Sequence, residues 1–538
     1  MLPLRRRPPP AFSLRLTSPR RVHAVQNRAS KREADTVEAR ATLRYLSTMV
    51  VAPKPVVILG AGPGGYAAAM RCLDFGLPVV LVEAGRVGGA GLHRGAQSSK
   101  TWWHLASDFA RTRRADRCSH EARTAPPFRA LADEVEDAVA ERRATLEAQL
   151  AFLEREGPSF RLVRGRGRIR GERCVEVELA TGGAMVVEAS AVILATGSTP
   201  RRPEIYPCDG DRVVTSDELD DWSDFPGRLL IVGAGVVGCE YATVFAEFGR
   251  THVELVDRQP RILPFEDHDV SAHVQRSFEE MGVTVHAGAQ VRKLRVEGHE
   301  VVAELTCATG DSRIVRADRC LVAAGRVPNA KHIGLETIGI SLEPSGALAV
   351  DGTRVRGTTW LYAVGDLTAD IALVNVAELE GRHAAESIAG RSPQPIPFDA
   401  ISSIYFLQPE VASVGLGERQ ARERRIPCRV AVLANKLVHR NIAMRATKGF
   451  LKLIAAPDGK LLGLRAVGPQ ASSAAQGIAL LIDRNGTTAD LARCIHPHPA
   501  VPEGLQECAR LLLGESIHKP RVFGDELLTV REHVFDVT

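Results

Sequence analysis

Residues 55–65 read Pro-Val-Val-Ile-Leu-Gly-Ala-Gly-Pro-Gly-Gly, and residues 229–238 read Leu-Leu-Ile-Val-Gly-Ala-Gly-Val-Val-Gly. Each is a short apolar run with β-branched members, the pattern of a buried strand, and each stops at a glycine-rich turn. Helix-forming residues follow: Tyr66-Ala67-Ala68-Ala69-Met70 in the first and Tyr241 to Phe248 in the second. A further apolar strand then ends in an acid, Val79–Val82 at Glu83 and Val253–Val256 at Asp257. Strand, turn, helix, strand and acid in that order make a dinucleotide-binding unit. Gly60 and Gly233 open the tight turns. Gly62 and Gly235 let the backbone approach a pyrophosphate, while Gly65 and Gly238 let helix and strand pack closely. The helix N-termini present N–H donors and the positive dipole end to the phosphates.

Glu83 stands 18 residues beyond Gly65, near the ribose distance. Asp257 accepts from a free 2′-hydroxyl and repels a 2′-phosphate, which favours NAD over NADP; the adjacent Arg258 is the residue that could receive that phosphate instead. Two such units imply two dinucleotides. The chemical reason to hold both is hydride transfer between them, one a nicotinamide (NAD) and the other a flavin (FAD). The expected fold is α/β, with two Rossmann-like dinucleotide-binding domains and a further C-terminal domain.

Outside these units the chain is ordinary for 538 residues: 45% hydrophobic and 25% charged, enough for roughly three or four domains. No apolar run of about 18 uncharged residues suggests a membrane span. The formal charge of +5 is misleading as a clue to partners. Residues 1–48 carry a net +8, and the remaining 490 residues a net −3, so the body offers no case for nucleic acid. Met1 to Arg32 contains eight Arg and no acid, the composition of a mitochondrial import segment. The competing reading is a start at Met49, which would leave a cytoplasmic protein. Ten cysteines stand at 72, 118, 174, 208, 239, 307, 320, 428, 494 and 508, none at a C-x-x-C or zinc-finger spacing. They read as buried free thiols, and no residues are assigned to a metal.

Several further motifs together resemble the pyridine nucleotide-disulfide oxidoreductases, specifically the dihydrolipoamide dehydrogenase type. Ala195-Thr196-Gly197-Ser198 resembles the strand end that leaves the first flavin segment, and Ala324-Gly325-Arg326-Val327-Pro328-Asn329 the end of the nicotinamide domain. Leu361-Tyr362-Ala363-Val364-Gly365-Asp366 resembles the second flavin motif, in which the Asp holds the ribityl chain; Ala372, Leu373, Ala377 and Glu380-Gly381 follow at matching intervals. Pro409 to Gly415 resembles the opening of a dimerisation domain. The resemblance implies a leader at 1–48, a flavin domain split over 49–200 and 330–395, a nicotinamide domain at 201–329, and a C-terminal α+β dimerisation domain at 396–520 with an extension at 521–538. A homodimer follows, with a 2-oxoacid dehydrogenase complex as a possible partner. The Arg- and Glu-rich stretch 105–156 reads as long solvated helices.

The pattern breaks at the redox pair. Where the family reads G-G-T-C-L-N-V-G-C-I-P-S-K, this chain reads Gly88-Gly89-Ala90-Gly91-Leu92-His93-Arg94-Gly95-Ala96-Gln97-Ser98-Ser99-Lys100. Gly91 and Ala96 occupy the cysteine positions, and neither side chain can form a thiolate. By the resemblance, Lys100 and Glu240 form the ion pair beside the reactive flavin nitrogen. His498 and Glu503 match the family's proton shuttle and the carboxylate that orients it. His498 then either protonates another acceptor or is an inherited interface contact. His93 and Arg94 either line the former dithiol pocket and bind an anionic or quinone-like acceptor, or serve as solvated or flavin-phosphate contacts. The expected activity is NADH oxidation through FAD to a small acceptor (a quinone, a dye, oxygen or a nicotinamide) without a dithiol relay. The alternatives are an acting dihydrolipoamide dehydrogenase and a non-catalytic flavin-loaded paralogue.

Overall fold

The computed structural model describes residues 53–115, 124–368 and 371–535. The leader reading, which concerns residues 1–48, and Cys118 lie outside the described residues. The fold is α/β, as the sequence implies. Strand β1 (Val56–Leu59), helix α1 (Pro63–Asp74) and strand β2 (Val79–Glu83) form the first unit. Every residue of β1 is buried: parallel strands flank both edges, β2 on one and β4 (Ala191–Leu194) on the other, and apolar layers cover both faces, with Val56 and Ile58 clustering with Ala68 and Ala69 of α1, and Val57 and Leu59 with Ile169 and Leu361. Between β2 and β4 come α2 (Gly89–His93), α3 (Ala96–Ala115), α4 (Phe128–Glu156) and β3 (Phe160–Gly171).

The second unit repeats the plan. Strand β5 (Arg228–Val232), helix α5 (Val236–Phe248) and strand β6 (His252–Asp257) precede α6 (His268–Glu280), and β5 is flanked in parallel by β6 and β7 (Arg319–Val322). Strand β8 (Leu361–Ala363) returns to the first sheet beside β4, and α7 (Val374–Ile388) packs on α1. In both sheets the chain reverses direction of travel at the central strand, so the crevice for a ligand opens at the carboxyl ends of the strands.

The remaining residues build a six-stranded antiparallel sheet. It contains Ser402–Tyr405, β9 (Val411–Gly415), α8 (Glu418–Glu423) beside it, β10 (Cys428–Ala434), β11 (Phe450–Ala455) and β12 (Leu461–Val467). Helix α9 (Glu503–Leu513) covers one face, and β13 (Leu528–His533) pairs antiparallel with β10 over six residues. The segment expected as an extension therefore supplies an edge strand of this sheet.

The long charged helices α3 and α4 form where expected, but they are not merely solvated. Phe128, Leu131, Val135, Val139, Leu146 and Leu150 of α4 are buried along one face. Trp102 of α3 meets Phe128 at 4.9 Å between ring centroids, and Phe128 stacks on Phe245 of α5 at 6.5 Å. Aromatic burial of about 1.5–3 kcal/mol per side chain thus fastens the first unit to the second. No described helix is long and apolar enough to cross a membrane.

Candidate active site

The two glycine turns have the same local geometry. Gly60 and Gly233 have φ of 106° and 109°, and a Cβ on either would stand 2.3 Å from a carbonyl oxygen, Ala195 O or Ala323 O. A Cβ on Gly65 or Gly238 would stand 1.9 Å from the carbonyl oxygen of Gly60 or Gly233. These four glycines are required by the protein's own packing. Gly62 and Gly235 differ: a Cβ on Gly62 would find only the Gly89 Cα at 3.9 Å, and one on Gly235 nothing within 4 Å. Open space in front of a backbone at a helix N-terminus is what a pyrophosphate needs, so the residues present fit a dinucleotide at each turn.

Each acid also braces its own turn. Glu83 accepts from the Ala61 amide at 2.7 Å and the Gly85 amide at 2.6 Å. Asp257 accepts from the Ala234 amide at 2.6 Å and the Gln259 amide at 2.8 Å.

A cleft of about 1600 Å³ runs across the first unit. Gly60, Gly62, Glu83, Thr196, Gly197 and Ala372 line it, as do Gly365, Asp366, Lys100 and Glu240. Gly65 sits behind it in the helix–strand packing, and Gly233, Gly235, Gly238, Asp257 and Gly325 belong to the second turn and its neighbouring strand end. Two motifs read separately in the sequence cross here. The Thr196 hydroxyl donates to the Asn329 carbonyl at 2.8 Å, and Ser198–Pro200 pairs with Arg326–Pro328. Asp366 accepts from the Ser198 hydroxyl at 2.5 Å and faces the Arg326 guanidinium at 3.7 Å.

On the floor of the cleft Lys100 Nζ lies 2.7 Å and 3.0 Å from the two oxygens of Glu240. The residues come from α3 and α5, 140 positions apart, and the aromatic packing between those helices brings them together. Glu240 is nearly fully buried. Its Oε1 also accepts from the Phe406 amide at 3.1 Å, and the Lys100 ammonium stands 5.0 Å over the Phe406 ring. Sequence reasoning missed Phe406, because a backbone donor leaves no side-chain signature. It missed Tyr405 as well, which lines the cleft while its hydroxyl donates to the buried Glu266 at 2.7 Å.

His93 and Arg94 diverge. His93 Nε2 bonds the Val87 carbonyl at 2.8 Å, and burial holds its imidazole below the usual histidine range. Arg94 reaches across to the Asp217 carbonyl oxygen. Burial raises the carboxyls of Asp217 and of Asp220, the latter despite a 2.7 Å hydrogen bond from the Trp102 indole. Gly91 lies against Pro63 and Val374, whose atoms would be 3.3 Å and 3.1 Å from an added Cβ. No cysteine lines the cleft among the described residues. The nine described cysteines are free, and burial pushes the Cys72 thiol up to about 12 and Cys428 to about 11.

His498 and Glu503 lie outside this cleft. His498 Nδ1 is 2.7 Å from Glu503 Oε1, and the Ala500 amide donates to the other carboxylate oxygen at 2.7 Å. Burial pushes the Glu503 carboxyl up, but the Ala500 amide and His498 outweigh it and leave it below the usual range. The His498 side chain is 63% exposed, free to face something beyond this protomer.

Comparison with known proteins agrees with this geometry. Residues 54–381 match the family model described as pyridine nucleotide-disulphide oxidoreductase, and residues 401–509 match the dimerisation domain of the same family. The chain is 33% identical over 467 residues to a dihydrolipoyl dehydrogenase of Pseudomonas aeruginosa, covering 86% of this chain and 98% of that one. It is 33% identical over 476 residues to a dihydrolipoyl dehydrogenase of Mycobacterium leprae, covering 86% and 99%. Among solved structures, LpdA of Mycobacterium tuberculosis superposes with a TM-score of 0.78 at 28% identity, covering 85% of this chain and 99% of the other. With its paired dinucleotide turns, split first sheet and dimerisation domain, this chain belongs to the pyridine nucleotide-disulphide oxidoreductase family.

Proposed function

We propose that this flavoprotein oxidoreductase, whose cofactors are FAD and NAD(H), oxidises NADH and delivers the electrons directly to a small acceptor, without a dithiol relay. One observation carries the reading: the Lys100–Glu240 pair stands complete in the cleft, while Gly91 and Ala96 hold the positions of the family's sulfurs. Bound FAD supplies the ability to take a hydride from NADH and give up the electron pair to a second molecule. For a quinone, dye or oxygen the balance is NADH, a proton and the oxidised acceptor going to NAD⁺ and the acceptor reduced by two electrons and two protons; a nicotinamide acceptor takes the hydride alone, with no net proton.

The chain's residues divide the rest of the work. Gly62 and Glu83 meet the first dinucleotide at the turn that Gly60 and Gly65 shape, with Thr196, Gly197, Gly365, Asp366 and Ala372 along its length. Gly235 and Asp257 meet the second at the turn that Gly233 and Gly238 shape, with Gly325 at the adjoining strand end. Lys100 keeps positive charge where electrons arrive, and Glu240 orients it. His498, steered by Glu503, donates a proton to an acceptor in a homodimer, where its exposed ring faces the partner. The acceptor is a quinone, a dye, oxygen or a second nicotinamide.

The test is anaerobic NADH added to the purified holoprotein, followed by an acceptor screen. Bleaching of the flavin absorbance, reoxidation by a quinone or dye, and lipoamide turnover at the level of a boiled control are expected. Flavin that stays oxidised, or lipoamide turnover sensitive to thiol reagents, would falsify the reading. The import role of residues 1–48 rests on composition; N-terminal sequencing of the mature protein decides between cleavage and retention.

A further inference from the structure

Behind the cleft, the second dinucleotide unit meets the C-terminal sheet through buried charge. Lys452 of β11 is fully buried, with its ammonium 2.9 Å from Asp267, 2.5 Å from Asp269 and 3.2 Å from Glu418. Asp267 also caps α8, accepting from the Glu418 and Arg419 amides at 3.1 Å and 2.8 Å. Next to it, Glu266 accepts from Arg465 Nε, the Tyr405 hydroxyl and the Ser413 hydroxyl, each at 2.7 Å. Glu266 and Arg465 balance one another. Asp267, Asp269 and Glu418 do not balance against Lys452 alone. The half-exposed Arg422, 3.4 Å from Glu418, is too wet to make up the difference.

A second cation arrives on β13. Arg531 lies 2.7 Å from Glu418 and 3.2 Å from Asp269, and His533 Nε2 is 2.8 Å from the other oxygen of Glu418. This strand falls outside the residues that match the family's dimerisation domain, which end at 509. Its pairing with β10, from Cys428 opposite His533 to Leu433 opposite Leu528, fixes which side chains reach the cluster. From there a continuous path leads to the cleft: Asp267, its neighbour Glu266, the Tyr405 hydroxyl, then the Phe406 amide on Glu240.

We propose that Arg531 is a positioning residue: delivered by β13, with His533 beside it, it brings a second cation to a three-carboxylate joint whose Asp267 and Glu418 are buried, and so holds Tyr405 against Glu266 and Phe406 against Glu240. Three like charges around one ammonium repel each other where two of them, Asp267 and Glu418, are buried, and the Arg531 guanidinium lessens that repulsion. The segment 402–406 then stays closed over the Lys100–Glu240 pair. The inference goes beyond the proposed reaction, and only its kinetic readout depends on that reading.

The experiment compares full-length holoprotein with Arg531→Met, Arg531→Lys, and Arg531→Met combined with Asp269→Asn. Amide hydrogen exchange is followed in peptides covering 266–269 and 402–406, and the rate of flavin bleaching is measured across NADH concentrations. Arg531→Met is expected to raise exchange in both peptides by about tenfold. It also lowers the limiting bleaching rate several-fold, with half-saturation by NADH changed less than about twofold. Arg531→Lys restores both. The double variant restores both too, because removing a negative charge serves as well as supplying a positive one. Unchanged exchange in Arg531→Met overturns the proposal, as does a double variant that still exchanges like Arg531→Met, since strand pairing would then be the whole effect. Should Arg531→Met fail to fold, the double variant decides: native exchange supports charge balance, and failure to fold rejects it. Wild-type flavin that NADH does not bleach would reject the proposed reaction while leaving the exchange comparison intact.

Discussion

At the scale of single residues, the site separates groups that the fold needs from groups that only a ligand needs. Gly238→Ala puts a methyl 1.9 Å from the Gly233 carbonyl, so α5 and β5 must move apart. A loss of about 2–3 kcal/mol of stability is expected in thermal unfolding. Gly235→Ala meets no protein atom and sits at φ −76°, which alanine adopts freely. Its melting temperature should stay within about 2 °C of wild type, since it breaks no packing feature, while NADH affinity by titration falls about tenfold or more, equivalent to about 1.4 kcal/mol. Lys100→Met leaves a buried carboxylate without its cation. It is expected to cost about 3 kcal/mol in unfolding experiments, and to slow NADH-driven bleaching by about 100-fold in stopped flow. Glu240→Gln keeps an acceptor for the Phe406 amide, so it should slow bleaching with a smaller loss of stability.

Among elements, the joint between the loop leading into α6 and the C-terminal sheet sets the protein's response to acid. Burial pushes the Glu266 carboxyl up, but Arg465 and the hydroxyls of Tyr405 and Ser413 outweigh it, leaving it below the usual range. Asp267 is likewise held down, by Lys452 and Arg465 against burial. A depressed carboxyl contributes stability that is complete above its unfolded value, roughly 4, and lost as pH falls through the lower folded value. Glu266→Gln should therefore be less stable than wild type by about 3 kcal/mol at pH 7. The gap should narrow steadily below about pH 4, as read from thermal melts across pH. A gap that stays constant down to acid would remove the Glu266–Arg465 pair from this account. The helices α3 and α4 carry a related lesson. Their charge made them legible as helices with a wet face, but Trp102 and Phe128 join a cluster with Phe245 that turns the other face inward and seats Lys100 opposite Glu240.

For the molecule as a whole, the dimerisation domain and the exposed His498 predict a particle of about twice the 58.1 kDa chain. Sedimentation of the holoprotein checks this, and a monomer would leave His498 with no partner to serve. The glycine turns, the terminal acids and the motifs around Thr196, Gly325 and Asp366 were legible in the sequence, because each depends on local spacing along one strand–turn–helix. Gly91 and Ala96 were legible too, since residue identity needs no geometry to be read. Tyr405, Phe406, Glu266 and Arg531 were not. Each acts through a partner 100 or more positions away, by a backbone amide, a hydroxyl or a counter-charge that has no fixed interval in sequence. His93 and Arg94, adjacent in the chain, point to different neighbours, which only packing decides. Sequence alone thus determined the two dinucleotide turns and placed Gly91 and Ala96 in the stretch leading to Lys100, because backbone approach and chemical identity are written residue by residue. Tertiary structure alone decided what braces the Lys100–Glu240 pair, because burial and electrostatic balance depend on which distant segments share one small volume.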